Sequence, residues 1–107
     1  MKRWLTLHCR PLGPDSVLSA DEVDAHLGEL AGWQRVDGAI EKTFTFADFH
    51  QTMAFVNALA WVAHRQDHHP DLQVGYNRCR VRYSTHSARG ITANDFICAA
   101  RIDALFA

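Results

Sequence analysis

The chain has 107 residues, of which 48% are hydrophobic and 21% are charged, and its formal net charge at pH 7 is −1. This length is that of one domain that can bury a core without disulfides or metals. The balanced charge gives no electrostatic reason to expect binding to nucleic acid or to a membrane surface, and the longest apolar run, residues 53–63, is far shorter than a membrane-spanning helix.

The cysteines Cys9, Cys79 and Cys98 are odd in number and contain no C-x-x-C pair. Neither a disulfide framework nor a zinc ribbon is therefore predicted. Residues 1–16 lack the sustained apolar core of a secretory signal. Together these observations predict a cytoplasmic protein with reduced thiols.

Residues 1–17 are predicted to form an irregular N-terminal arm. They contain Pro11, Gly13 and Pro14 and have no clean hydrophobic period. Trp4 and Leu5 are the apolar side chains of this arm that are expected to pack back onto the body. A single domain is predicted over residues 18–107.

The first helix is predicted to begin at Ser19. Ser19 and Glu22 have the S-x-x-E spacing of a capping box, and Leu18 and Val23 occupy the positions of a hydrophobic staple. Gly32 follows the last apolar position at helical spacing, and glycine is the residue that most readily ends a helix with a positive φ. The predicted helix therefore lies between Ser19 and Gly32.

A hairpin is predicted over residues 33–46. Asp37-Gly38 is among the strongest short hairpin signals, because both central residues of a type I′ turn need a positive φ. After this turn, Phe44 and Phe46 alternate with polar residues, which is the two-residue period of a half-buried strand.

A long helix is predicted from about Asp48 to Asp67, with Pro70 ensuring its end, because the residue before proline avoids the helical region. Its apolar residues lie on two faces, which predicts burial on both sides, one of them by a partner subunit. The two faces are Phe49, Met53, Val56, Ala60 and Ala63, and Phe55, Leu59 and Val62. His68 and His69 follow directly after this helix.

A second hairpin follows, with its turn near Asn77-Arg78 and alternate residues facing the core. Tyr76 and Tyr83 occupy core-facing positions and are expected in the core or at an interface. The arginines at the opposite positions are expected to be solvated rather than to bind an anionic partner. His86, at the end of the return strand, would share the face of these arginines.

The last helix is predicted to begin with Thr92 as its N-cap and Asp95 at its third position. The complete order is helix, strand, strand, long helix, strand, strand, helix. Two antiparallel hairpins with helices on one face form an α+β fold, a two-layer sandwich with a four-stranded antiparallel sheet. The uncovered face or edges of such a sheet are commonly covered in a homo-oligomer.

Residues 64–95 contain four of the seven histidines. Histidine exchanges protons near neutral pH, so His68, His69 and His86 would support acid/base chemistry if they converged on one pocket. His64 and His68 are also spaced as zinc ligands on one helix face, and a metal-binding protein that uses His64, His68 and His69 is an alternative.

The segment from residue 64 to residue 95 resembles the signature of the pterin-4a-carbinolamine dehydratases. The residues that carry this resemblance are H-x-x-x-H-H-P at 64–70, Tyr76, Thr85-His86, Gly90-Ile91-Thr92 and Asp95. Similarity to the family extends over about residues 18–103 and includes Gly32-Trp33, the strand at 43–46 and the segment 99–103. Departures are His64, where many members have glutamate, Leu72, where an aromatic residue is common, and Ser87, where an acidic residue is common.

The resemblance implies dehydration of 4a-hydroxytetrahydrobiopterin (pterin-4a-carbinolamine) to quinonoid dihydrobiopterin and water. This reaction supports tetrahydrobiopterin recycling after an aromatic amino-acid hydroxylase has acted, and it needs no metal or redox cofactor. The implied site consists of the catalytic His68, His69 and His86 and the substrate-binding residues Trp33, His64, Pro70 and Asp95. For Asp95, a capping role in the last helix explains the residue nearly as well.

The family also implies a homodimer or homotetramer, and it leaves an alternative function open. Some members serve as dimerisation cofactors of a transcription factor, and some relatives act as assembly chaperones after loss of the active site. The alternative for this chain is therefore a non-catalytic protein-interaction module on the same fold.

Overall fold

The structure, a computed structural model, describes residues 2–106. Its helices are α1 (Lys2–Thr6), α2 (Ala20–Leu27), α3 (Phe49–Gln66) and α4 (Ala93–Asp103), and its strands are β1 (Gln34–Val36), β2 (Ala39–Thr45), β3 (Asp71–Val74) and β4 (Arg78–Tyr83). Short 3₁₀ helices lie at Pro14–Ser16, His86–Ala88 and Ala104–Phe106. Met1 and Ala107, at the ends of the predicted arm and domain, lie outside the described residues.

The four strands form one antiparallel sheet in the order β1-β2-β4-β3. The two central strands, β2 and β4, pair with Ile40 opposite Tyr83 and Phe44 opposite Cys79. These inward-facing side chains are buried in the core that α3 and α4 share with the sheet. The predicted two-layer α+β sandwich is confirmed, with Glu41 and Arg82 forming an ion pair at 3.1 Å on the opposite face.

The predicted turn and helix starts are also present. Asp37 and Gly38 both have positive φ values and link β1 to β2 as a two-residue turn. The Ser19–Glu22 capping box forms as predicted, but α2 ends at Leu27, well before Gly32. Between Leu27 and Gly32 the chain forms turns, and Leu30 is buried there. A buried apolar residue at helical spacing therefore extended the predicted helix past its observed end.

Helix α3 has the predicted extent. The Asp48 side chain accepts a hydrogen bond from the Gln51 amide at its start, and Asp67 adopts a left-handed conformation directly after its last residue. Within one chain only one face is buried, because the single sheet covers only one side. The buried residues are Thr52, Phe55, Leu59, Ala63 and Gln66. Phe49 and Trp61 on other sides of α3 remain 50% and 60% exposed.

The prediction of an irregular N-terminal arm is wrong over Lys2–Thr6, which form α1. A helix this short contains too few residues for a hydrophobic period to be visible in the sequence. Trp4 does pack back as expected: its ring stacks on Phe96 of α4 at 5.5 Å, and only 4% of the residue is exposed. Leu5 remains 36% exposed. No helix within residues 2–106 is both long and apolar enough to cross a bilayer.

Candidate active site

The ends of α3 and α4 bring His68 and Asp95 together. His68 follows the left-handed residue that ends α3, and its amide donates to the Ala63 carbonyl at 3.1 Å. Asp95 lies in the first turn of α4. His68 Nε2 lies 2.6 Å from Asp95 Oδ1, the carboxylate is fully buried, and the imidazole side chain is 12% exposed. The geometry is that of a short, charge-assisted hydrogen bond.

The second carboxylate oxygen of Asp95 accepts hydrogen bonds at the N-terminus of α4. Oδ2 accepts hydrogen bonds at 2.9 Å from the Thr92 amide and from the Thr85 hydroxyl. The two threonine hydroxyls are themselves 2.6 Å apart. Asp95 therefore completes the capping box of α4, as the sequence allowed, and its other oxygen contacts His68; a substrate-binding role for Asp95 stays a prediction.

Tyr83 fixes the other side of His68. The two rings are stacked with centroids 5.2 Å apart and planes at 22°. The Tyr83 hydroxyl donates to the His68 carbonyl oxygen at 3.1 Å, and Tyr83 itself is fully buried in β4. Tyr83 therefore contacts His68 twice, once at the face of the imidazole ring and once at the backbone carbonyl.

The charge of Asp95 controls the protonation of His68. Burial alone would disfavour the imidazolium, but the hydrogen bond and the negative charge of Asp95 outweigh it, so the pKa of His68 is raised above its ordinary value. A His68 with a raised pKa carries a proton for a larger share of the time at neutral pH.

His68 lines a cavity of about 220 Å³. The remaining lining residues are Cys9, Arg10, Pro11, Leu12, Gln66, Asp67, Thr85, Ser87 and Asn94. The arm segment 9–12 thus forms one wall of this cavity.

Polar side chains hold the arm in this position. The Asn94 side-chain amide donates to the Arg10 carbonyl at 2.7 Å, and the Ser87 hydroxyl donates to the Leu12 carbonyl at 2.7 Å. Asn94 was not identified from the sequence, and Ser87 was named only as a departure from the family pattern. Single hydrogen bonds to backbone carbonyls from distant elements leave no periodic signal in a sequence.

His86 lies on the other side of Thr85. It is exposed, begins the second 3₁₀ helix, and lines a separate cavity of about 400 Å³. That cavity is also lined by Asp37, Gly38, Ser84, Thr85, Arg89 and Gly90. His68 and His86 therefore lie in neighbouring cavities that share Thr85, rather than in the single pocket that acid/base chemistry by all three histidines would favour. Thr85, which directly precedes His86 in the chain, lines both cavities.

The remaining predicted site residues lie outside these two cavities. His69 is exposed and Pro70 is half-buried, directly after His68 in the chain. The Trp33 indole donates to Asp103 Oδ2 at 3.0 Å, at the end of α4 opposite to Asp95. Roles for His69, Pro70 and Trp33 in substrate binding or catalysis stay predictions.

His64 also stays apart from His68. It is exposed on α3, and its ring lies 5.6 Å from that of Trp61. A substrate-binding role for His64 stays a prediction. Within the described range 2–106, no group of three or more His, Cys, Asp or Glu side chains is arranged to hold a metal ion. The alternative of a metal site at His64, His68 and His69 therefore has no geometric support.

The sequence is similar to a family of known proteins. The family model described as pterin 4 alpha carbinolamine dehydratase matches residues 16–105. A protein from Nitrosospira multiformis is 51% identical over 102 residues, which cover 94% of this chain and 90% of that protein. A protein from Chromobacterium violaceum is 52% identical over 102 residues, which cover 95% and 94%. Both carry the provisional name of pterin-4-alpha-carbinolamine dehydratase.

Solved structures share the fold. A protein from Brucella melitensis, described as a transcriptional coactivator/pterin dehydratase, has a TM-score of 0.80 and 37% identity, covering 83% of this chain and 97% of its own. A pterin dehydratase-like protein described as a RuBisCO assembly factor in the alpha-carboxysome has a TM-score of 0.59 and 27% identity, covering 69% and 88%. The same fold is thus associated with enzymatic and with protein-binding descriptions.

Proposed function

The chain belongs to the pterin 4 alpha carbinolamine dehydratase family, and on that premise we propose that it dehydrates 4a-hydroxytetrahydrobiopterin to quinonoid dihydrobiopterin and water. The observation that carries this proposal is the 2.6 Å contact between the buried Asp95 and His68, which lines the 220 Å³ cavity. In a cell the substrate would come from an aromatic amino-acid hydroxylase, and the reaction would serve the recycling of tetrahydrobiopterin.

His68 is proposed as the general acid. Dehydration requires one group to protonate the departing 4a-hydroxyl and another to accept the proton from N5 of the pterin. Because Asp95 raises the pKa of His68, this imidazole can supply a proton near neutral pH. Its Nε2 is engaged by Asp95, which leaves Nδ1 as the ring nitrogen for a ligand.

His86 is proposed as the base. It lines the 400 Å³ cavity that shares Thr85 with the cavity of His68, whereas His69 lines neither. This role requires the pterin to extend past Thr85 from one cavity towards the other. For a ligand that stays within the His68 cavity, which His69 does not line, a water would have to accept the N5 proton.

The experiment is the ultraviolet decay of freshly made 4a-hydroxytetrahydropterin, with and without protein. We expect the wild type to exceed the spontaneous rate, and His68→Gln and His86→Gln each to lose at least about tenfold of that acceleration, since a positioned acid or base contributes about a hundredfold or more. His50→Gln is the matched control, because His50 is exposed in the first turn of α3, away from both cavities. A wild-type rate equal to the spontaneous rate would remove the enzymatic proposal.

A second proposal is that the chain forms a homodimer or homotetramer. Edge strand β3 exposes Leu72 and Val74 at 37% and 42%, and Tyr76 just beyond it at 66%. The alternation predicted that Leu72 and Val74 face the core and that Tyr76 lies in the core or at an interface, and the edge position of β3 leaves these residues uncovered within one chain. Exposed apolar residues beside an unpaired strand edge favour a protein contact. The Brucella melitensis relative, described as both coactivator and dehydratase, keeps a protein-interaction role open beside catalysis.

A further inference from the structure

Cys9 of the arm and Cys98 of α4 lie against each other beside the His68 cavity. Their sulfur atoms are 3.6 Å apart, although the residues are separated by 89 positions in the sequence. Cys98 is fully buried, whereas Cys9 is only half-buried and lines the cavity. The residues matched by the family model begin at 16 and do not include Cys9.

The two thiols differ in reactivity. With Cys98 as donor, their hydrogen bond lowers the pKa of Cys9; burial acts against this, and the positive charge of His68 acts with it. The same hydrogen bond, together with burial, raises the pKa of Cys98. Cys9 is therefore the more accessible and the more readily ionised thiol, and Cys98 is a partner within reach that holds its proton more tightly. This is the arrangement of an attacking and a resolving cysteine.

Closing a disulfide requires a small movement of Cys9. Cys9 lies between α1 and the first 3₁₀ helix, outside any helix or strand, and its amide donates to Gln66 Oε1 at 2.8 Å. A disulfide has a sulfur–sulfur distance of about 2.05 Å, so the sulfurs must approach by roughly 1.5 Å. Cys98 sits within regular helix α4, so Cys9 and its neighbours supply most of this movement.

We propose that Cys9 and Cys98 form a reversible disulfide when the protein reacts with a hydroperoxide, and that this modification ties the N-terminal arm to α4 beside His68. The Cys98 sulfur lies 4.0 Å from the His68 carbonyl oxygen, and Arg10, next to Cys9, lines the same cavity. Oxidation therefore shifts the arm wall of the cavity. The modification itself does not depend on the pterin reaction.

The chemistry balances with the peroxide as oxidant. The Cys9 thiolate attacks one peroxide oxygen, the O–O bond breaks, and the departing hydroxide or alkoxide takes up a proton. Cys9 becomes a sulfenic acid as the peroxide is reduced. The Cys98 sulfur then attacks the Cys9 sulfur, the S–O bond breaks, and the hydroxyl leaves as water with the proton of Cys98. A dithiol reductant reverses the reaction.

The test is a thiol count combined with peptide mapping of the full chain. Reduced protein has three free thiols, and treatment with equimolar hydrogen peroxide should leave one, with a mass lower by two hydrogen atoms and no covalent dimer. Trypsin should then yield peptide 4–35 cross-linked to peptide 90–101. Dithiothreitol should restore all three thiols.

Cys79→Ala is the matched control, because Cys79 is buried in β4 and its pKa is raised by burial alone. This variant should form the same cross-link at the wild-type rate and retain no free thiol. Cys98→Ala should form no cross-link and should instead hold Cys9 as a sulfenic acid that reacts with dimedone. The proposal is overturned if peroxide adds only oxygen to wild-type protein, or if Cys79 appears in the cross-link. Because the wild type alone can give either result, misfolding of a variant does not affect the test.

Discussion

Asp95 links the end of one helix to the start of another through its two oxygens, one 2.6 Å from His68 Nε2 and the other capping α4. The residue is fully buried, and a buried carboxylate is tolerated only when its hydrogen-bonding capacity is satisfied. The backbone cap and the Thr85 hydroxyl supply part of that need, and His68 supplies the countercharge. Asp95 therefore contributes both to the start of α4 and to the raised pKa of His68.

Asp95→Asn should destabilise the protein by about 2 kcal/mol at neutral pH, which is typical of losing a hydrogen bond to a charged group. The side-chain oxygen of the substituted residue can still accept the hydrogen bond from the Thr92 amide at the start of α4. The substitution removes the negative charge that faces His68. Urea unfolding measures the change. Asp15→Asn is the control, because Asp15 is exposed in the first 3₁₀ helix and should shift stability by less than about 0.5 kcal/mol. Equal destabilisation of the two variants would contradict the importance of the pair.

The stability of the wild type should depend on pH through His68. Its folded pKa is raised above the ordinary value of 6.5, so the folded state binds the proton more tightly than the unfolded state does. The resulting stabilisation is complete below about pH 6.5 and is lost as the pH rises through the higher folded pKa. The difference in unfolding free energy between wild type and Asp95→Asn should therefore be largest below pH 6.5 and should shrink as the pH rises through the raised pKa of folded His68. A difference that does not change with pH would show that Asp95 does not stabilise the protonated form of His68.

Tyr83→Phe should cost about 1 kcal/mol, because the His68 carbonyl loses its hydrogen-bond donor while the stacked ring is kept. Urea unfolding again provides the measurement. Tyr76→Phe is a matched control, since Tyr76 is 66% exposed and should behave as wild type. If both variants retain full stability, the hydroxyl contributes nothing to holding His68.

Much of the fold could be predicted because its signals are local. The capping pairs Ser19–Glu22 and Thr92–Asp95 and the Asp37-Gly38 turn each depend on residues within a few positions of one another, and the structure contains all three. Helix α1 was not predicted because it is too short to show a hydrophobic period. The exposure of β3 was not predicted because alternation of apolar residues in a strand does not reveal whether the strand lies at a sheet edge.

The candidate site could be predicted only in part. Family resemblance drew attention to His68 and Asp95, which are 27 positions apart and pair in the structure. The same resemblance grouped His86 with them, yet the structure assigns His86 to a neighbouring cavity. The sequence did not indicate that residues 9–12 form a wall of the cavity. Their carbonyl groups accept hydrogen bonds from the distant side chains of Ser87 and Asn94, and such bonds do not depend on which residues lie in the arm.

The edge of β3 should affect oligomeric state if a second copy of the chain covers it. Tyr76→Glu places a charge on a residue that is 66% exposed in one chain, so the fold should tolerate it. We expect light scattering to report a smaller assembly for this variant than for wild type, because a buried charge at an interface is costly. Thr43→Glu is a control on the open face of the sheet, where Arg80 is its strand neighbour. If light scattering shows that the wild type is a monomer, the proposed homodimer or homotetramer is wrong.

Gly32→Ala should destabilise the protein more than Gly38→Ala does. Both glycines have positive φ values, 88° and 78°, so an alanine at either position costs about 1 kcal/mol or more for the left-handed backbone alone. A Cβ at Gly38 meets nothing within 4 Å, whereas at Gly32 it would lie 3.0 Å from Cε of Lys42. That side chain is not free to move away, because its Nζ donates at 3.0 Å to both the Ala31 carbonyl and Asp103 Oδ1.

Lys42→Ala provides the decisive background for this comparison. Without the long side chain, the added Cβ at Gly32 has room, and only the backbone cost should remain. The difference between Gly32→Ala and Gly38→Ala in unfolding free energy should therefore disappear in the Lys42→Ala protein. If the difference persists in the Lys42→Ala protein, the extra cost of Gly32→Ala comes from the backbone around Gly32 and not from a clash with the Lys42 side chain.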